Sequence, residues 1–174
     1  MCIRFEAVIS NIASRKVIRI PLSYSEKLPS RGMVMIEGTI KGVAFIAPLE
    51  PDGKGSHWFL VSDLPGEEAE LMTGETVSIQ LEPVKDWIEP EIPKDIMDAV
   101  IKADLLNQWN SLTVKARWEW LRWIRSTSNP ATRSKRIEVA CSKLQKGDKR
   151  PCCFDGTRCT ITEVSKSGVL LDQT

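Results

Sequence analysis

Histidine is almost missing from this chain: His57 is the only one among 174 residues. One histidine cannot supply the imidazole sets of most catalytic zinc sites. With no plausible nucleophile beside it, it is also weak ground for acid–base chemistry. Its expected role is hydrogen bonding to the backbone of the turn that precedes it. Long apolar runs are lacking too, and none approaches the roughly 20 residues a helix needs to cross a bilayer. The opening residues Met1-Cys2-Ile3-Arg4-Phe5-Glu6 put charges where a signal peptide would carry an apolar core. A cytoplasmic protein without membrane insertion is therefore expected. The five cysteines (Cys2, Cys141, Cys152, Cys153, Cys159) are an odd number, which favours reduced thiols over a disulfide framework. The chain contains no P-loop, dinucleotide fingerprint or zinc-protease motif. No catalytic residue and no cofactor is expected, and the chain is read as a protein other than an enzyme.

What is present is unevenly distributed. The net charge of +1 hides an acidic first half, where residues 1–90 carry 9 Lys/Arg against 13 Asp/Glu. Residues 91–150 reverse this with 13 against 7, and the segment 115–150 holds 11 basic residues and three acidic ones. Such a block reads either as a solvated helix face or as a surface for an anionic partner, the acidic half of the chain included.

The hydrophobic pattern changes period near residue 90. Ile3, Phe5, Ala7 and Ile9 alternate with polar residues, as in a half-buried strand. Further short strands are expected at 17–22, 33–40, 43–47, 57–61 and 76–81, with Lys41-Gly42 as a hairpin and Pro51-Asp52-Gly53-Lys54-Gly55 as a turn. Six short strands in so few residues favour a small barrel, because closure removes exposed edges. Pro83, Pro90 and Pro93 then mark a linker. Beyond it, Ile96, Ala99, Val100, Ala103 and Leu106 follow helical spacing, and a second helix is expected over Val114–Arg125. The second is apolar over more than half its circumference, with Lys115, Glu119 and Arg122 as its polar strip. A third helix has Asn129 as N-cap, Pro130 at its first position and Gly147 just past its end. After Pro151, segments 160–164 and 169–171 flank Ser165-Lys166-Ser167-Gly168 as a terminal hairpin, which must pack on another part of the protein. The expected class is α+β: a six-stranded β-barrel (1–90), a domain of about three helices (91–150) and a cysteine-containing tail (151–174).

Several of these residues carry a family resemblance. Ser30-Arg31-Gly32, Glu37-Gly38-Thr39-Ile40 and Pro51-Asp52-Gly53-Lys54-Gly55-Ser56-His57 resemble a bacterial and archaeal β-barrel domain of unknown function. Trp120-Leu121-Arg122-Trp123-Ile124 and Thr132-Arg133-Ser134-Lys135-Arg136-Ile137 resemble the helical YdeI/OmpD-associated domain. The resemblance spans roughly residues 3–147 and implies a link to bacteriocin protection, with no catalytic residues attached. It also implies a basic residue near the last barrel loop, where this chain has the acidic stretch Gly66-Glu67-Glu68-Ala69-Glu70.

The most informative local feature is on the third helix, where Arg133 falls inside the apolar arc of Ile137, Ala140, Cys141 and Leu144. Arg136 lies at the edge of that arc. An arginine there needs a carboxylate, carbonyls, an aromatic face or a bound anion. Two readings follow. Arg133 is structural, stacked on a tryptophan or paired with an acid, or Arg133, Arg136 and Thr132 form an anion site at the helix N-terminus. The tryptophans Trp109, Trp118, Trp120 and Trp123 read as core packing ahead of a base-stacking platform. Cys141, Cys152, Cys153 and Cys159 fit zinc spacing poorly, since structural sites pair ligands two to four residues apart. The expected function is a non-enzymatic binding or stress-protection module whose partner is an anionic small molecule or a protein. Nucleic-acid binding through 115–150 is the alternative, and an enzyme using a cleft between the two halves ranks last.

Overall fold

A computed structural model describes residues 1–61, 71–151 and 153–173. The acidic stretch Gly66–Glu70 and Cys152 lie outside the described residues. The chain divides into two compact units. One comprises Met1–Asp86, Gly156–Cys159 and the chain from Glu163, and the other Trp87–Asp155 with Thr160–Thr162.

The first unit is the expected six-stranded barrel: β1 (Ile3–Ile12), β2 (Arg15–Arg19), β3 (Val34–Ile40), β4 (Val43–Pro51), β5 (His57–Leu60) and β6 (Thr76–Pro83). A short helix α1 (Leu22–Ser25) follows β2. The strands close in the order β1-β2-β5-β4-β3-β6, every pair antiparallel. Alternation in β1 turns Ile3, Phe5, Ala7 and Ile9 inward onto a core that includes Ile18, Ile36, Ala47, Leu49 and Phe59. Each large side chain so buried contributes about 1.5–3 kcal/mol before chain entropy is subtracted. Lys41 and Gly42 both have positive φ (49° and 79°), the two-residue hairpin expected from the sequence. Ala13 and Ser14 (47° and 68°) make a second such turn between β1 and β2 without glycine or asparagine, so it carried no turn signal.

The terminal hairpin belongs to the barrel unit. Its strands, β7 (Ser165–Lys166) and β8 (Val169–Leu170), are shorter than expected and the first is later, while the second begins at Val169 as expected; the turn is Ser167-Gly168 rather than 165–168. Positive φ at those two residues (56° and 81°) places the reversal there. The hairpin sits against the turn after β4. A Cβ on Gly53 would lie 2.2 Å from the Gly168 carbonyl oxygen, and the Leu170 amide donates to Asp52 O at 2.8 Å. The Arg19 guanidinium donates to Leu171 O, and Val164 and Leu170 are buried.

The second unit holds α2 (Lys94–Lys102), α3 (Leu106–Ser111), α4 (Val114–Arg125) and α5 (Pro130–Gln145). Among the described residues this unit has four helices where about three were expected, and α1 in the barrel unit brings the count to five. The continuous periodicity from Ile96 to Leu106 is broken at Asp104, which takes φ 57°. There Leu105 N donates to Val100 O and Asp104 N to Ile101 O, the paired bonds of a Schellman stop made without glycine. Around α5 the expected signals are in place. Asn129 Oδ1 accepts from Ala131 N and Thr132 N, and Gly147 at φ 91° closes the other end. Thr113 caps α4 through Ala116 N. The core gathers Ile96, Val100, Trp109, Trp120, Leu121, Ile124, Ala140 and Leu144.

Candidate functional site

At the start of α5 both arginines of the anticipated anion site have partners within their own unit. Arg133 Nε and Nη2 donate to Asp95 Oδ2 and Oδ1 at 2.8 and 2.9 Å, a bidentate pair that links α5 to the first turn of α2. The Arg133 hydrogen bond holds the Asp95 carboxyl below its ordinary range, while Asp95 raises the Arg133 guanidinium. Arg136 Nη1 donates to Trp123 O (2.9 Å) and Ser126 Oγ (2.7 Å), and its guanidinium lies 5.6 Å from the Trp123 ring centroid. It thus caps the carbonyl end of α4, where a cation is favoured. The Asn129 side chain takes the amide of half-buried Thr132, at 3.3 Å.

The other arginines of the basic segment are likewise engaged. Arg117 donates to Glu89 (2.5 and 3.1 Å) and to Leu112 O. Arg125 Nε donates to Thr160 Oγ1 at 3.0 Å, and Arg150 meets Glu119 at 3.6 Å. Arg122 overturns the expected polar strip on α4. It is 3% exposed, with its guanidinium 5.4 Å from the Phe154 ring centroid. Helical periodicity could not reveal this, because Phe154 returns from beyond α5. Trp118 and Trp123 are only half-buried, whereas Trp109 and Trp120 lie in the core. Trp120 Nε1 donates to Lys149 O at 3.0 Å.

Of the cysteines considered as ligands, Cys141 is half-buried, Cys153 exposed and Cys159 buried. Burial pushes the Cys141 thiol above its ordinary value, away from the thiolate a metal would need. Among the described residues no three His, Cys, Asp or Glu side chains are placed to hold a metal.

In the barrel, two of the segments that carried the resemblance, Ser30–Gly32 and Pro51–His57, meet in one polar knot. His57 is 1% exposed; its Nδ1 lies 2.6 Å from Ser25 Oγ and its Nε2 2.8 Å from Gly32 O. A carbonyl only accepts, so Nε2 carries the proton and Nδ1 accepts from the Ser25 hydroxyl. Ser25 ends α1 and Gly32 lies between α1 and β3, so these partners are not in the preceding turn as expected. Arg31 completes the knot by donating to Ser25 O, Leu28 O and Gly55 O at 2.6–3.0 Å. Asp52 Oδ1 accepts from Lys54 N and Ser56 N within the turn itself. Desolvation lowers the His57 pKa, so the ring is held neutral. A serine beside a histidine invites comparison with a nucleophile–base pair, but Ser25 is 0% exposed and no substrate reaches it.

Open concavities lie instead on the outer barrel wall. One groove of about 760 Å³ runs across β4, β3 and β6, lined by Glu37, Gly38, Thr39, Ile46, Glu82 and their neighbours. A second, of about 790 Å³, shares Thr39 and Gln80 with it and continues past Arg4 and Lys41. Gly38 shapes the first groove: a Cβ there would stand 2.0 Å from Gln80 O, so only glycine lets β3 approach β6 this closely. Of this wall the sequence marked only Glu37-Gly38-Thr39; most of the rest comes from two other strands and meets them only through register.

Residues 89–147 match the family described as bacteriocin-protection, YdeI or OmpD-associated, and residues 5–81 match a domain of unknown function, DUF1905. The helical part is thus similar to YdeI/OmpD-associated domains and the barrel to DUF1905 domains. No curated protein matches the chain. The DUF1905 match contains the His57 knot and both wall grooves, apart from residues at their edges. The YdeI/OmpD-associated match contains the Asp95–Arg133 pair and the α4–α5 arginines. The terminal hairpin lies beyond both matches.

Proposed function

We propose that this DUF1905–YdeI/OmpD-associated chain is a non-catalytic binding module, acting in protection of the kind its helical family is described by, with the outer barrel wall as its recognition face. The observation that carries this reading is the groove over Gly38. It combines apolar walls with polar groups at its rim, the mixture that binding sites use. Two further features support it. The lone histidine is sealed with both ring nitrogens engaged, which leaves general acid–base chemistry without an accessible imidazole. The arginines of the 115–150 segment are spent on internal partners, which weighs against a nucleic-acid surface there.

The test is a chemical-shift map of the intact ¹⁵N-labelled chain against a mixture of small amines, amides, acids and aromatics. Responses should gather at Gly38, Thr39, Ala44 and Gln80, and Ala44→Trp should remove them by filling the groove. A response gathered on α4 and α5 instead, or none on the barrel wall, would overturn the reading.

A further inference from the structure

Glu37 on β3 and Glu82 on β6 are direct cross-strand partners, and both line the groove over Gly38. Side chains at such positions have Cβ atoms about 4.5–5.5 Å apart, where like charges destabilise a sheet. Neither carboxylate makes an ion pair or a side-chain hydrogen bond among the described residues, and no basic residue lines the groove. Beside them the wall is apolar. Ile46, the β4 partner of Glu37, is 48% exposed, and Ala44 lies on the same face two residues before it.

We infer that this groove binds a basic–apolar peptide segment, with an arginine or lysine side chain between Glu37 and Glu82 and an aliphatic neighbour against Ile46 and Ala44. The inference rests on the barrel wall being the recognition face and adds the chemistry of the partner. A cation between two facing carboxylates turns a repulsive pair into two charge-assisted hydrogen bonds. The groove volume, about 760 Å³, suits one such side chain with its neighbours, since ligand sites run from roughly 300 to 1,000 Å³. The same geometry rejects acidic segments, which would add a third negative charge.

The experiment titrates the intact ¹⁵N-labelled chain at low salt with three capped tripeptides, Leu-Arg-Leu, Leu-Gln-Leu and Leu-Glu-Leu. The arginine peptide should shift the amides of residues 37–39, 44–46 and 80–82, with a Kd at least tenfold below that of the glutamine peptide. Glu37→Gln with Glu82→Gln should erase that preference, and Glu37→Gln alone should raise the melting temperature by relieving repulsion. That single variant keeps the test decisive if the double variant fails to fold. Equal binding of the glutamine or acidic peptide would overturn the partner assignment while the wall remains a binding face. Silence of the wall toward all three would remove both readings. Wall shifts that grow with protein concentration alone would assign the groove to a second copy of the chain and overturn the peptide assignment.

Discussion

His57 is held as a neutral ring between a hydroxyl donor and a carbonyl acceptor, and this fixes the sign of its effect on stability. Its native pKa lies below the ordinary value of 6.5. Above that value neither the folded nor the unfolded chain protonates it. As pH falls below 6.5 the unfolded chain takes up a proton first, so stability declines until the native ring itself protonates. Urea unfolding between pH 7.5 and 5 should show this decline, at most about 1.4 kcal/mol per pH unit, and His57→Gln should flatten it. The Asp95 carboxyl behaves in the opposite sense: its depressed pKa contributes stability above about 3.8 that is lost in acid. Since the Arg133–Asp95 pair is partly exposed, Arg133→Ala should cost about 1 kcal/mol or less. A double-mutant cycle with Asp95→Ala should return most of that as coupling; a cycle showing none would place the role of Arg133 elsewhere. That Arg133 needed compensation was legible in its helical position. That Asp95 supplies it was not, because the pairing depends on how α2 packs on α5.

The helices show what local chemistry does and does not announce. Asn129, Pro130 and Gly147 bound α5 where the sequence places them, because each satisfies terminal backbone groups or supplies a backbone angle in its own segment. The α2 stop is the same device built on Asp104, a residue that carries no such signal. Asp104→Gly should therefore raise stability by up to about 1 kcal/mol, because glycine adopts φ 57° without a Cβ penalty. Chemical denaturation would measure this, and a loss instead would mean that the aspartate side chain has a compensating role. At the barrel end, Gly53→Ala combines a strained φ of 86° with a clash against the Gly168 carbonyl. It should expose the Leu170 amide to rapid hydrogen exchange while the barrel strands stay protected. Unchanged protection at Leu170 would show that the turn and hairpin can separate without loss. The barrel strands were readable from alternation, whereas the hairpin's seat was not, because it is a long-range contact between two glycine turns.

Across the molecule, charge asymmetry was the boldest sequence feature and the one most changed by the structure. The arginines of residues 115–150 serve as helix caps, ion pairs and ring contacts, while Lys115, Lys135, Lys146 and Lys149 are exposed. Phosphate binding releases counterions in proportion to the cations left free to neutralise it. The intact chain should thus show no retention on single-stranded DNA or RNA at about 50 mM salt. Firm retention with a steep salt dependence would restore the nucleic-acid reading. The acidic half offers the complementary case: like charges spaced far apart along the sequence, Glu37 and Glu82, become neighbours only when the barrel closes.

The contact of Gly53 with Gly168 also has a meaning in time. Arg19 and Leu171, joined beside it, stand 152 positions apart in the chain. At synthesis rates of roughly 5–20 residues per second, the six barrel strands emerge many seconds before the hairpin that seats on them. A nascent barrel therefore waits with its turn glycine uncovered while the whole helical domain is made. The domain encoded first is finished last.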